Sequence, residues 1–184
     1  MELKLRQLLT KRQKVRITDP SRTRAAVLVP IFRKDEQYYL LFIKRTDRVR
    51  VHKGQISFPG GAYEERDGSL LNAALRESAE EIGLAADDIQ VLSEMDDQES
   101  ITTNYVITPF LALIPHPYHF RLDRYEVQEL LEVPISALLD KDNQHTEILP
   151  DKRITYSYRC GSEVIWGATA RILKPLLEIL AEVL

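Results

Sequence analysis

Residues 69–83, SLLNAALRESAEEIG, read as a helix closed at both ends. Ser69 can accept a hydrogen bond from an amide of the first turn, and Gly83 tolerates the left-handed conformation that ends a helix. Leu71, Ala74, Leu75 and Ile82 share one face, so this helix must lie on a broad apolar surface. The flanking segments supply one. AAVLVPIF (25–32) and QYYLLFIKR (37–45) are apolar, β-rich runs separated by the polar RKDE (33–36), which predicts a hairpin. A brief strand is expected at Gln55 to Phe58, then strands in IQVLSEMD (89–96) and YVITPFLALI (105–114). EVQELLEVPISALLD (126–140) predicts a turn, a strand ending before Pro134 and a short helix. KRITYSYRC and SEVIWG read as late strands. An amphipathic helix is expected over 3–14, with Leu5, Leu8 and Leu9 at helical spacing, and another over 168–184, kinked at Pro175. Strands, helix, strands, helix is the order of an α/β chain: a mixed sheet with helices on both faces, an α/β/α sandwich. At 184 residues and 44% hydrophobic content there is apolar material for one substantial core, and two would be a squeeze.

The same helix carries the chemistry. RESAEEIGL (76–84) places Glu77, Glu80 and Glu81 within five residues. At about 100° per residue, Glu80 lies roughly 60° to one side of Glu77 and Glu81 roughly 40° to the other. The three carboxylates share a stripe that is largely separate from the apolar one, which puts them on a surface face. Taken alone, such a stripe is an ordinary solvated acidic face. With FPGG upstream, where Gly60 and Gly61 let backbone approach a ligand, a second reading gains ground. A hard divalent cation such as Mg²⁺ takes oxygen ligands, typically a few carboxylates plus substrate phosphates. The absence of His and Cys nearby speaks against zinc.

This pattern resembles the Nudix hydrolase box: Gly, five residues, Glu, seven residues, then Arg-Glu-x-x-Glu-Glu-x-Gly-apolar. Arg76, Glu77, Glu80, Glu81, Gly83 and Leu84 match its second half without a gap. In the first half, Asp67 stands in place of the glutamate, eight residues separate it from Arg76, and Ser78 replaces an apolar residue. RTDRVRVHKGQISFPGG (45–61) is similar to the signature that precedes the box in the coenzyme A pyrophosphatase branch. Arg45, Arg50, Gly54, Gln55, Phe58, Pro59, Gly60 and Gly61 match it, and the longer Asp67–Arg76 spacing is a habit of the same branch. EVQELLEVPISALL (126–139) and VIWGATARIL (164–173) resemble later segments of that branch.

The resemblance implies one Nudix hydrolase domain over 1–184, with a core of about 25–175 between terminal helices. It implies hydrolysis of the diphosphate of coenzyme A or its derivatives to 3′,5′-ADP and (acyl-)4′-phosphopantetheine, with Mg²⁺ or Mn²⁺ as cofactor. Glu77, Glu80 and Glu81 are the expected catalytic and metal-holding groups, with a backbone carbonyl of Gly60 or Gly61 adding an oxygen. Arg76 is expected to orient a glutamate through an ion pair. Arg45, Arg50, Gln55 and Gly61 are the expected substrate contacts. His52 and Lys53 extend the basic cluster, with His52 read as orienting or structural. The general base is open among a box glutamate, Glu99 and Glu126. Trp166 reads as a buried aromatic rather than a base-stacking one. Two rival readings stand beside this one: a Nudix enzyme acting on ADP-ribose or nucleoside triphosphates, and a non-catalytic nucleotide-binding module.

Composition narrows the partners. A formal charge of −3, from 25 Lys and Arg against 28 Asp and Glu, gives no basic excess for a nucleic acid. No apolar run reaches the roughly 18 residues of a membrane helix. One cysteine, Cys160, excludes an intrachain disulfide. With no secretory h-region at the N-terminus and no Ser-Lys-Leu tail, a cytoplasmic protein is expected. The resemblance implies a small nucleoside-diphosphate-linked partner, and composition points to neither nucleic acid nor membrane. The leucine-rich terminal helices offer a homodimer contact.

Overall fold

The two apolar runs form the hairpin. In the computed structural model, which describes residues 2–49, 53–100 and 103–184, β1 (Thr23–Lys34) and β2 (Gln37–Arg45) pair antiparallel with Ile31 opposite Leu40. Asp35 and Glu36, at φ 47° and 62°, make the two-residue turn whose twist suits a hairpin. β1 then pairs in parallel with β7 (Tyr105–Leu113), placing Ala25 beside Ile107. On the far half of β1, β4 (Gly60–Ala62) replaces β2 as neighbour, with Ala62 opposite Ala25. β3 (Ile56–Ser57) and β8 (Val127–Pro134) pair with β2, while β5 (Gln90–Glu94) and β6 (Gln98–Glu99) pair with β7. The result is a mixed eight-stranded sheet. Strand β8 runs one residue further than expected and includes Pro134, which begins the short helix α3 (Ile135–Leu139).

Both faces of this sheet are buried, which is why β1 and β2 read as continuous apolar runs rather than alternating ones. Ala26, Leu28, Phe32, Leu41 and Ile43 face α2 (Leu70–Ile82), whose Ala73, Ala74 and Ile82 are buried against them. Val29, Ile31, Leu40 and Phe42 face α1 (Glu2–Lys11), α3 and α4 (Gly167–Ala181). This is the expected α/β/α sandwich. Ser69 accepts a hydrogen bond from the Asn72 amide, and Gly83, at φ 68°, closes α2 with its amide on the Ala79 carbonyl. The helix thus has both of its expected caps. Ser78, buried in α2, donates its hydroxyl to the Ala74 carbonyl at 2.7 Å, so a polar residue is satisfied at a core position.

A second sheet, not anticipated in full, covers one end of the first. β9 (Gln144–Ile148), β10 (Ile154–Cys160) and β11 (Glu163–Ile165) form an antiparallel three-stranded ribbon beside α4. QHTEI shows little apolar alternation, and four of its five residues are exposed, so β9 left no hydrophobic signature. α4 continues through Pro175 as one element. Leu5 and Leu9 of α1 and Leu173, Leu176, Leu177 and Leu180 of α4 are buried in the same core. These leucines of the terminal helices are thus buried within the chain. Among the described residues no helix is long and apolar enough to cross a membrane.

Candidate active site

A cavity of about 830 Å³ lies between the main sheet, the ribbon and α4. Ala25 and Val27 of β1 and Tyr105 and Ile107 of β7 floor it. α2 packs on the opposite face of the sheet, yet Glu77 and Glu81 line this cavity. Gly60 and Gly61 explain how. A Cβ on Gly61 would stand 2.5 Å from the Glu77 carboxyl carbon, so the missing side chain is the space that carboxylate fills. A Cβ on Gly60 would meet the Ala26 carbonyl at 2.3 Å, and Gly60 itself holds φ 149°.

The three glutamates do not share one environment. Glu81 is buried, 3% exposed, which corrects the surface face expected for it. It accepts hydrogen bonds from Arg45 Nη1 at 2.8 Å and from the Gly60 amide at 2.9 Å. Gly60 thus meets the carboxylate through its N–H. Burial pushes the Glu81 carboxyl up to about 7, against the pull of Arg45 and the Gly60 amide; Glu77 and Glu126 add to the rise. Glu77 is also raised, first by burial, with Glu80 and Glu126 contributing, while Arg76 opposes. Glu80 points outward, its side chain 56% exposed, and meets Arg76 at 3.0 Å. It does not line the cavity. The side-chain stripe bends away there because i+3 and i+4 depart from Glu77 in opposite directions.

Arg76 ties the box together. It donates to both Asp67 oxygens, at 2.7 and 3.1 Å, to Glu77 at 2.7 Å and to the Ala62 carbonyl at 3.1 Å. Asp67 also accepts from the Glu64 amide at 2.8 Å, and the Arg76 guanidinium above all holds its carboxyl down at about 2. Asp67 is thus the anchor of Arg76, and the shorter side chain is met by the bidentate fork. Arg45, foreseen as a phosphate contact, bridges Glu81 and Glu126, the latter at 2.9 Å. Its Nε is buried with no partner among the described residues.

Gln55 and Gly61 line the cavity with Arg45. Arg50 and His52 lie outside the described residues, and Lys53 is exposed. Of the two loop carboxylates, Glu126 lines the cavity, while Glu99 faces Arg22 at 3.6 Å outside it. Trp166, expected to be buried, is 46% exposed and lines the cavity mouth with Val164, because it precedes the first turn of α4 rather than sitting inside an element. Arg171 of α4 lines the opposite wall. Sequence reasoning had not singled it out, since one arginine in an apolar helix carries no spacing signal.

Among the described residues, no group of three or more His, Cys, Asp or Glu side chains stands together as a ready metal cage. The oxygens of Glu77 and Glu81 are held by Arg76 and Arg45 instead. The donor chemistry nevertheless fits a hard divalent cation. Glu77, Glu81 and Glu126 are oxygen-only and open on one cavity, and Glu126 is near enough to add to the raised proton affinity of the other two. Guanidinium groups now fill the role of counter-charge.

Comparison with known proteins agrees with this geometry. The model of the NUDIX domain matches residues 22–152. An uncharacterized Nudix hydrolase, NudL, of Enterobacter sp. (strain 638) is 34% identical over 160 residues, covering 85% of this chain and 82% of its own length. Its counterpart in Citrobacter koseri is 34% identical over 161 residues, with the same two coverages. Among solved structures, a MutT/nudix family protein from Enterococcus faecalis superposes with a TM-score of 0.60, at 16% identity, over 96% of this chain and 67% of that one.

Proposed function

This chain belongs to the Nudix family and is a pyrophosphohydrolase, and on that premise we propose that its substrate is coenzyme A or a derivative, cut at the diphosphate. The observation that carries the reading is a convergence. Arg45, Gln55, Phe58, Gly60 and Gly61, scattered through the segment that resembles the coenzyme A branch, all line the cavity that Glu77 and Glu81 enter. The reading takes residues 1–184 as one Nudix domain, supported by α1 and α4 burying their leucines in the core of the sheet.

Glu77 and Glu81 are the residues to hold Mg²⁺ or Mn²⁺. Such an ion supplies neutralisation of the diphosphate and a water of lowered pKa. The chain does the rest. Gly61 leaves room for the Glu77 carboxylate, and Arg76, fixed by Asp67, keeps that carboxylate turned toward the cavity. Glu80 shares Arg76 from the solvent side and steadies it. The Gly60 amide fixes one Glu81 oxygen. Arg45, displaced from Glu81 and Glu126, has a planar fork suited to a diphosphate oxygen pair. Glu126 stands on the wall of the cavity and accepts the proton of the attacking water. Cleavage yields 3′,5′-ADP and 4′-phosphopantetheine. The reaction belongs in the cytoplasm, where the free Cys160 stays reduced.

Mass-spectrometric product analysis tests this reading. Coenzyme A, ADP-ribose and nucleoside triphosphates are each incubated with Mg²⁺, Mn²⁺ or chelator. Metal-dependent release of 3′,5′-ADP from coenzyme A, with the others slow, is the expected result. Fast cleavage of ADP-ribose and slow cleavage of coenzyme A would replace the substrate while leaving the carboxylate centre in place.

A further inference from the structure

The charges that line the cavity are matched at one end and unmatched at the other. Arg45 is held by Glu81 and Glu126. Arg171 has no such partner. Among the described residues no carboxylate lies within ion-pair distance of its guanidinium, although Glu147 lines the same cavity and Glu99 is close by. The Glu99 carboxylate is turned to Arg22 instead. Arg171 Nη2 donates to the Glu99 backbone carbonyl, which fixes the guanidinium while leaving most of its five donors unused. Burial, with Arg153 adding to it, lowers the pKa of Arg171 against the pull of Glu99. Arg153 is itself paired with Asp151. A partly buried guanidinium without a paired carboxylate carries a desolvation cost that a visiting anion would offset.

Its distance from the carboxylates is set by the sheet. Ala62 of β4 pairs with Ala25 of β1, Ala25 with Ile107 of β7, and Ile107 with Gln98 of β6. Glu99, which anchors Arg171, belongs to β6. Three strand spacings, about 14 Å, therefore separate the Gly60–Ala62 strand from the anchor of Arg171. Glu77, Glu81 and Arg171 all line the one cavity. A diphosphate at the carboxylate end cannot also occupy the guanidinium end, so a second, remote anion is required to use it.

We infer that Arg171 forms a phosphomonoester subsite, which holds the 3′-phosphate of the substrate while its diphosphate lies at Glu77 and Glu81. The identity of the occupant rests on the coenzyme A reading; the anion subsite itself does not. Ser100, next to Glu99, lines the same wall and offers a hydroxyl beside it. The role is one of specificity: Arg171 separates substrates with the remote phosphate from those lacking it, and takes no part in bond breaking.

The test uses 3′,5′-ADP and 5′-AMP as probes, titrated calorimetrically into the full chain with Mg²⁺ present. A charge-assisted contact predicts that the wild-type protein binds 3′,5′-ADP roughly ten- to a hundredfold more tightly. Arg171→Gln should bind the two probes alike, and Arg171→Lys should keep part of the preference. In turnover, Arg171→Gln should raise KM for coenzyme A with kcat unchanged and leave dephospho-coenzyme A untouched. Equal binding of both probes by the wild-type protein overturns the subsite, whether or not the variants fold. So does a preference that survives in Arg171→Gln. An Arg171-dependent preference in a protein that does not cleave coenzyme A would uphold the subsite and discard the coenzyme A reading.

Discussion

Gly60 and Gly61 are adjacent and chemically identical, yet the structure asks different things of them. At Gly60 an added Cβ collides with backbone, in a conformation that L residues rarely adopt. Gly60→Ala should destabilise the fold by roughly 3 kcal/mol or more. At Gly61 the collision is with the mobile end of Glu77. Gly61→Ala should therefore melt within about 1 kcal/mol of the wild type while losing activity on the order of a hundredfold. Denaturant melts beside initial rates separate the two variants. Glu81 makes a prediction about pH. Its folded carboxyl titrates at about 7 against an ordinary 4.5. Between those values the folded chain holds a proton that the unfolded chain has released, so stability must fall as pH rises. In chelator, the loss should be on the order of 3 kcal/mol between about pH 4.5 and 7, and Glu81→Gln should flatten that part of the curve. Urea titrations across the range measure it. The stripe of charges was legible in the sequence, whereas the burial of Glu81 was not. Helical spacing reports which residues share a face, and only the arrival of β4 with its two glycines turns part of that face inward.

The elements that were legible are those whose local chemistry agrees with their packing. α2 carries a serine cap, a glycine stop and an apolar stripe, and all three are in use. Ser69→Ala should cost about 1 kcal/mol in a thermal or denaturant melt with kcat little changed, since the cap lies far along the helix from Glu77 and Glu81. β1 and β2 were legible because both of their faces are covered, so nearly every position is apolar. β9 was not, because its residues face solvent and contribute mainly backbone pairing to the ribbon. Trp166 was misjudged for a related reason. Its burial depends on where α4 begins, and α4 begins with Gly167. Arg171 was hidden too, since its meaning comes from having no ion-pair partner among the described residues rather than from any neighbour in the chain.

On the scale of the whole molecule, the sheet separates two tasks. One face buries α2 and stiffens the helix that carries the glutamates. The other holds the terminal helices and the ribbon, and opens the cavity proposed for the substrate. The glycine strand β4 is the passage between them, which lets carboxylates rooted on one face act on the other. Arg45 and Arg76 balance those carboxylates within the chain, and on the proposed reading a divalent cation takes over that role. That exchange of guanidinium for metal is the central claim. It is tested most directly by calorimetric titration of the metal-free protein and of Glu81→Gln with Mn²⁺, with coenzyme A turnover followed in the same samples. The account predicts saturable binding by the wild-type chain, a loss of at least roughly tenfold in affinity in the variant, and turnover that disappears with it. Equal Mn²⁺ affinity in the two proteins, with turnover intact in the variant, would contradict it.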